Sequence, residues 1–140
     1  MKQDILNRED IDLLMREFYS RAMSDEMIGY LFTEVAMLDL EHHLPVIGDF
    51  WETLLFGTRA YQKYGRSPLY VHKLLDDKEP LTAEHFKRWV AIFDECVDKY
   101  FDGENAGSIK RRARAIAARM SYFLNPDDEL RLEMAASMAF

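Results

Sequence analysis

The chain reads as an all-α protein, and three observations carry that reading. Apolar residues recur at i, i+3, i+4 and i+7 through most of its 140 residues. Helix caps and stops punctuate those runs. No stretch shows the two-residue alternation of a strand, and no repeat, low-complexity tract or linker divides the chain. A length of 140 residues supports one core, so a single domain over 1–140 is expected, with its core at about 8–124 and a C-terminal extension over 125–140.

The elements follow in order. Asn7 caps a first helix over about Arg8 to Met23, with Ile11, Leu14, Met15, Phe18 and Ala22 on one face and Tyr19 at its edge. Ser24-Asp25 opens a short segment through Phe32. Asp39 caps a second helix that ends near Gly57, and its apolar face runs through Leu40, His43, Leu44, Ile47, Phe50, Trp51, Leu54 and Leu55. Pro45 predicts a bend or an irregular start there. Gly57 to Arg66 lacks periodicity and reads as a loop. Ser67-Pro68, a hydroxyl cap before proline at the first helical position, starts a short helix to about Leu75, and polar Asp76 to Pro80 breaks it. Thr82 caps the next long helix, with Leu81 and Phe86 as its hydrophobic staple and a stripe of Phe86, Trp89, Val90, Phe93, Val97, Tyr100 and Phe101. Gly103 stops it. The last long helix is expected over about Ser108 to Leu124, with Ile109, Ala113, Ile116, Ala117, Met120, Phe123 and Leu124 inward, ended by Asn125-Pro126. From Asp127 a further short helix or a frayed end is expected.

Composition narrows the function. A net charge of −7 argues against nucleic-acid binding, and the basic run Lys110-Arg111-Arg112-Ala113-Arg114 reads as a solvated helix face. One cysteine, Cys96, permits no internal disulfide and fits a reducing compartment. The first ten residues lack the apolar core of a signal peptide. No stretch approaches the roughly 20 apolar residues of a membrane span. The cytoplasm is the expected location, with no membrane partner. Nine Phe, seven Tyr, two Trp and eight Met offer much flat, soft surface, which packed helices or an aromatic cofactor could absorb.

The four histidines differ in setting. His42 and His43 point about 100° apart on a helix, so His43 joins the apolar face while His42 faces out. His43 reads equally as a core-edge residue or a ligand. His85, in the first turn of its helix and off the apolar stripe, reads as a surface residue. His72 lies between Leu69 and Leu75 on the short capped helix. A lone apolar-face histidine is usually a satisfied core residue, but a plain four-helix bundle has no use for a ten-residue loop and a short helix between its second and third members.

Most metal and catalytic chemistries lack their residues. Structural zinc needs four nitrogen or sulfur ligands, and di-iron sites need paired Glu-x-x-His motifs. No nucleophile motif or phosphate loop is present. Haem differs, because one axial histidine is enough when the porphyrin supplies the other four nitrogens.

Taken together, Phe18-Tyr19, His43 through Asp49-Phe50-Trp51 with Leu54 and Leu55, His72 on its short helix, and His85-Phe86 with Trp89 and Phe93 resemble the truncated haemoglobins of the third group. The match in order and spacing covers about 8–124, and the absence of any Gly-Gly pair agrees with that group. The resemblance implies a two-over-two helical sandwich around haem b and its iron, with His72 as the proximal metal ligand. It places Tyr19, His43 and Trp89 on the distal side, where a diatomic gas (O2, NO or CO) binds a five-coordinate iron. Phe32, His43, Ile47, Phe50, His72 and Trp89 are the expected haem contacts; whether His43 lies in or out of the pocket stays open. Peroxide or nitric-oxide detoxification is the alternative reading, and it needs an external reductase because 140 residues leave no room for a flavin or nicotinamide domain. A cofactor-free helical interaction module is the third.

Overall fold

The computed structural model describes residues 1–65 and 67–125. Helix α1 (Arg8–Met23) starts where the Asn7 side chain accepts the Asp10 N–H, and it buries Ile11, Leu14, Met15, Phe18, Tyr19 and Ala22. The segment after it is longer than expected. Asp25 accepts the amides of Met27 and Ile28 and the guanidinium of Arg88 at 2.7 Å, and a wide π turn then runs over Leu31–Val35. Helix α2 (Leu40–Phe56) is capped by Asp39 and closed by Gly57 at φ 72°, the left-handed conformation that favours glycine. It passes Pro45 unbroken.

The loop after α2 contains a single 3₁₀ turn, Gln62–Tyr64. Helix α3 (Pro68–Lys78) has the expected start, with Ser67 as cap and Pro68 at the first position, but it runs beyond Leu75. The polar stretch Asp76 to Pro80 ends it as expected, but at Glu79, after a further turn in which Lys73 pairs with Asp77 at 2.7 Å. Helix α4 (Ala83–Tyr100) opens with a reciprocal capping box between Thr82 and His85. Helix α5 (Glu104–Leu124) starts one turn before the predicted Ser108. Its cap comes from the far end of the chain: Asp4 accepts the amides of Asn105 at 2.9 Å and Ala106 at 2.8 Å. Gly103 permits that approach, since a Cβ there would lie 2.4 Å from the Asp4 Cγ. The basic run sits inside α5 and is solvated as expected, with Lys110 and Arg114 reaching Asp98 and Asp94 of α4. Phe123, expected inward, is 59% exposed. The continuation expected from Asp127 lies outside the described residues.

Helix α1 packs on α2, α4 packs on α5, and α1 crosses α4, so two pairs of helices lie over one another. Phe93 joins them. Its ring lies 5.2 Å from Phe18 of α1, 5.3 Å from Trp51 of α2 and 5.3 Å from Trp89 of its own helix. Each such pair contributes roughly 0.5–1.5 kcal/mol beyond the area it buries. Helix α3 stands apart from this cluster: it touches α5 and has no fully buried side chain. Among the described residues no helix is long and apolar enough to cross a membrane, and the only extended pairing is an isolated bridge of Gln3 with Phe101.

Asp4→Ala should remove two helix-cap bonds and lower unfolding free energy by about 1–2 kcal/mol, read by urea denaturation. Burial pushes the carboxyls of Asp4 and Asp49 up, but hydrogen bonds to the ionised forms overcome it and hold both below the ordinary range; the Arg88 guanidinium does the same for Asp25. A lowered aspartate stabilises the fold above its unfolded pKa and loses that contribution as pH falls through the folded one. Stability should therefore drop as pH is taken downward from about 4, and Asp4→Ala should flatten part of that slope.

Candidate functional site

Between α1, α2, α3, α4 and α5 lies a cavity of about 650 Å³. Its walls are mainly apolar, with Phe32, Ile47, Phe50, Leu75, Phe86 and Met120 among them. All the residues picked from the sequence, Tyr19, Phe32, His43, Ile47, Phe50, His72 and Trp89, lie on this one surface. The wide turn at Leu31–Val35 brings Phe32 there, its ring 5.9 Å from Tyr19.

His72 reaches the cavity from α3. Its Nδ1 lies 2.7 Å from the Pro68 carbonyl oxygen one turn back. A carbonyl only accepts, so Nδ1 carries the proton and donates, and the neutral ring keeps a bare lone pair on Nε2. Burial pushes the His72 pKa down, against the opposing pull of the Pro68 bond, which keeps the ring neutral at pH 7. A neutral imidazole with one nitrogen anchored and the other free is the form that binds a metal.

Three polar side chains come from the other walls. The Tyr19 hydroxyl lies 3.0 Å from His43 Nε2, and the two rings meet edge to face at 5.1 Å. His43 is therefore inside the cavity. Burial pushes the tyrosine up, so it stays protonated, and pushes His43 down, with the nearby His72 adding to that effect. Trp89 is stacked on Phe93, and no acceptor among the described residues takes its indole proton.

His85 is a correction. Expected at the surface, it is half-buried and lines the cavity. The Thr82 N–H donates to its Nδ1 at 3.0 Å, so Nε2 carries the proton and donates to the Tyr30 hydroxyl at 3.3 Å. The Thr-x-x-His spacing at a helix start was the available signal. Tyr61 and Tyr64 also line the cavity, from a loop without periodicity that offered no signal. His42 faces outward as expected and bonds Asp39 at 3.1 Å. Cys96 is buried against Arg21, and no cluster of three or more metal-ligating side chains occurs among the described residues.

The cavity can take a flat apolar group with a metal at its centre. Its volume falls in the range of cofactor sites, its walls are aromatic and aliphatic, and a single imidazole lone pair is presented. Two pairs of helices enclosing such a cavity define a globin of the truncated, two-over-two type. No family model matches the chain. It is 31% identical over 127 residues to a group 3 truncated haemoglobin of Campylobacter jejuni, covering 89% of this chain and 95% of that one. The crystal structure of a group III truncated haemoglobin from Campylobacter jejuni superposes with a TM-score of 0.75 at 30% identity, over 89% of this chain and 95% of that one. The chain belongs to the group 3 truncated haemoglobins.

Because α3 has no fully buried side chain, its cap matters more than usual. Ser67→Ala should cost roughly 1 kcal/mol locally, seen as about fivefold faster amide exchange over 71–78, with α1 and α4 unchanged.

Proposed function

We propose that this chain binds haem b, with His72 Nε2 as the protein ligand to iron, and holds a diatomic gas on the side lined by Tyr19, His43 and Trp89. The observation that supports this most is the state of His72: neutral, anchored through Nδ1, and set with a free lone pair on an apolar cavity of about 650 Å³. Phe32, Ile47 and Phe50 are the wall contacts in this reading. Haem iron, when bound, supplies the position at which O2, NO or CO coordinates.

The chain's own residues decide how firmly that gas is held. The Trp89 indole can only donate, and its proton has no protein acceptor among the described residues. The Tyr19 hydroxyl is shared with His43. When the His43 Nε2 carries a proton it donates to the tyrosine oxygen, which leaves the tyrosine O–H to turn toward the gas. Each donor in so dry a pocket is worth roughly 1–3 kcal/mol toward a partly negative ligand. Such a pocket favours retention over rapid release. The same donors would assist cleavage of a peroxide O–O bond or consumption of nitric oxide. Sustained turnover of that kind requires electrons from a separate reductase.

Adding haem to the purified protein should give an absorption spectrum of a histidine-ligated globin at one haem per chain. His72→Ala should lose haem or need added imidazole, and an unaltered spectrum in that variant would reassign the iron ligand. Tyr19→Phe should raise the O2 dissociation rate tenfold or more, measured by stopped-flow; an unchanged rate would remove tyrosine from the distal role.

A further inference from the structure

We propose that Asp49, on α2, is the positioning residue for His72: it fixes the segment that leads into α3, and through it the imidazole's place on the cavity. The inference rests on the haem reading for its consequence, but not for its geometry.

Asp49 is a buried carboxylate, 7% exposed, whose two oxygens serve different elements. Oδ1 accepts from Arg8 Nη1 of α1 at 2.7 Å. Oδ2 accepts from the Tyr64 hydroxyl at 2.7 Å and from Lys63 Nζ at 3.1 Å, both in the turn before α3. The Lys63 contact is largely solvated and adds little. The Tyr64 bond joins a neutral donor to a charged acceptor in a half-buried setting, the stronger kind. A second fastener sits one turn along α2, where the Thr53 hydroxyl donates to the Asp49 carbonyl at 2.8 Å and accepts the Tyr61 N–H at 3.0 Å.

Between these anchors the rings of Phe50, Tyr61 and Tyr64 form a continuous row, with centroids 5.2 and 5.1 Å apart. Tyr64 therefore has its hydroxyl on Asp49 and its ring on the cavity. Four residues later Pro68 presents the carbonyl that holds His72 Nδ1. Helix α3 has no fully buried side chain and meets the core through half-buried Leu69 and Leu75, so what holds the preceding segment adds to the placement of its first turn. Gly48 is part of the arrangement. A Cβ there would lie 2.6 Å from Arg8 Nη2, so a larger residue would require the guanidinium to shift from its present path to the carboxylate.

Asn at position 49 keeps one acceptor oxygen. Turned to Arg8, it leaves an NH2 group facing the Tyr64 and Lys63 donors, and the loop loses its anchor at Tyr64 while the Thr53–Tyr61 bond remains. In Asp49→Asn of the full chain we expect at least fivefold faster haem transfer to excess apomyoglobin and a shifted or broadened iron–histidine stretching band in ferrous resonance Raman. Amide exchange over 58–78 in the haem-free protein should quicken while the interiors of α1 and α4 hold. Tyr64→Phe, which removes one oxygen atom, should reproduce the same signs if the first variant folds poorly. Arg8→Gln strips the other side of the carboxylate and should lower thermal stability while leaving the iron–histidine band in place. Wild-type rates, band and exchange in both Asp49→Asn and Tyr64→Phe would overturn the proposal, as would a band that moves equally in Arg8→Gln. Should the wild-type chain take up no haem, the haem reading fails, and the exchange comparison alone decides whether Asp49 holds α3.

Discussion

A cavity that no side chain among the described residues fills is the constraint on which this structure depends. An apolar-lined space forgoes the dispersion contacts that its lining atoms would make in a packed interior. The helices around it must therefore be held by contacts made elsewhere. Phe93 does most of this, touching Phe18, Trp51 and Trp89 and so joining three of the cavity's walls behind its surface. Of the two remaining walls, α5 packs on α4, whereas α3 has no ring in that cluster. Its position rests on half-buried Leu69 and Leu75 against the core, on its contact with α5, and on hydrogen bonds at its two ends: the Asp49–Tyr64 contact before it and the Leu81 N–H to Asp76 at 2.8 Å after it. The element that carries the candidate iron ligand is thus the one least supported by apolar packing.

The polar groups on the cavity follow one rule. Each has a protein contact that sets its orientation and a remaining valence or face toward the space. His72 uses Nδ1 on Pro68 and keeps Nε2. Tyr19 and His43 hold one another. Tyr64 is tied at its hydroxyl and presents its ring. Burial keeps His72 and His43 on the neutral side, so the His72 lone pair is available at pH 7 without a competing proton. Anchoring of this sort reduces the cost of ordering a ligand, because the groups that meet it are already in place.

Much of the fold was legible because its signals are local. Asn7, Asp39, Ser67 and Thr82 each start a helix within a residue or two of where the pattern put them, since a cap acts on amides two or three positions away. The misreadings also have physical causes. The polar stretch after Leu75 does break the helix, but only at Glu79, since residues such as Lys73 and Asp77 pair across a helical turn before it. Phe123 fits the inward stripe of α5 by period, yet it sits one residue from the helix end, where the ring is exposed. His85 looked solvated because period alone considers a helix's faces, whereas its place is decided by the cap of its own N-terminus and by Tyr30.

The amino-acid sequence by itself determined the helices, most of their ends, the apolar face of each, and the unusual setting of His72 on a short capped helix. These depend on interactions within a few positions along the chain, and period and cap chemistry report them directly. Tertiary structure alone decided which distant groups meet. Asp4 caps a helix about a hundred residues away, Asp49 takes hold of Tyr64 across an aperiodic loop, and Tyr19 finds His43 on another helix. Hydrogen bonds of that kind form only once packing has brought two elements to within 3 Å or so, and no local pattern in either segment encodes the meeting.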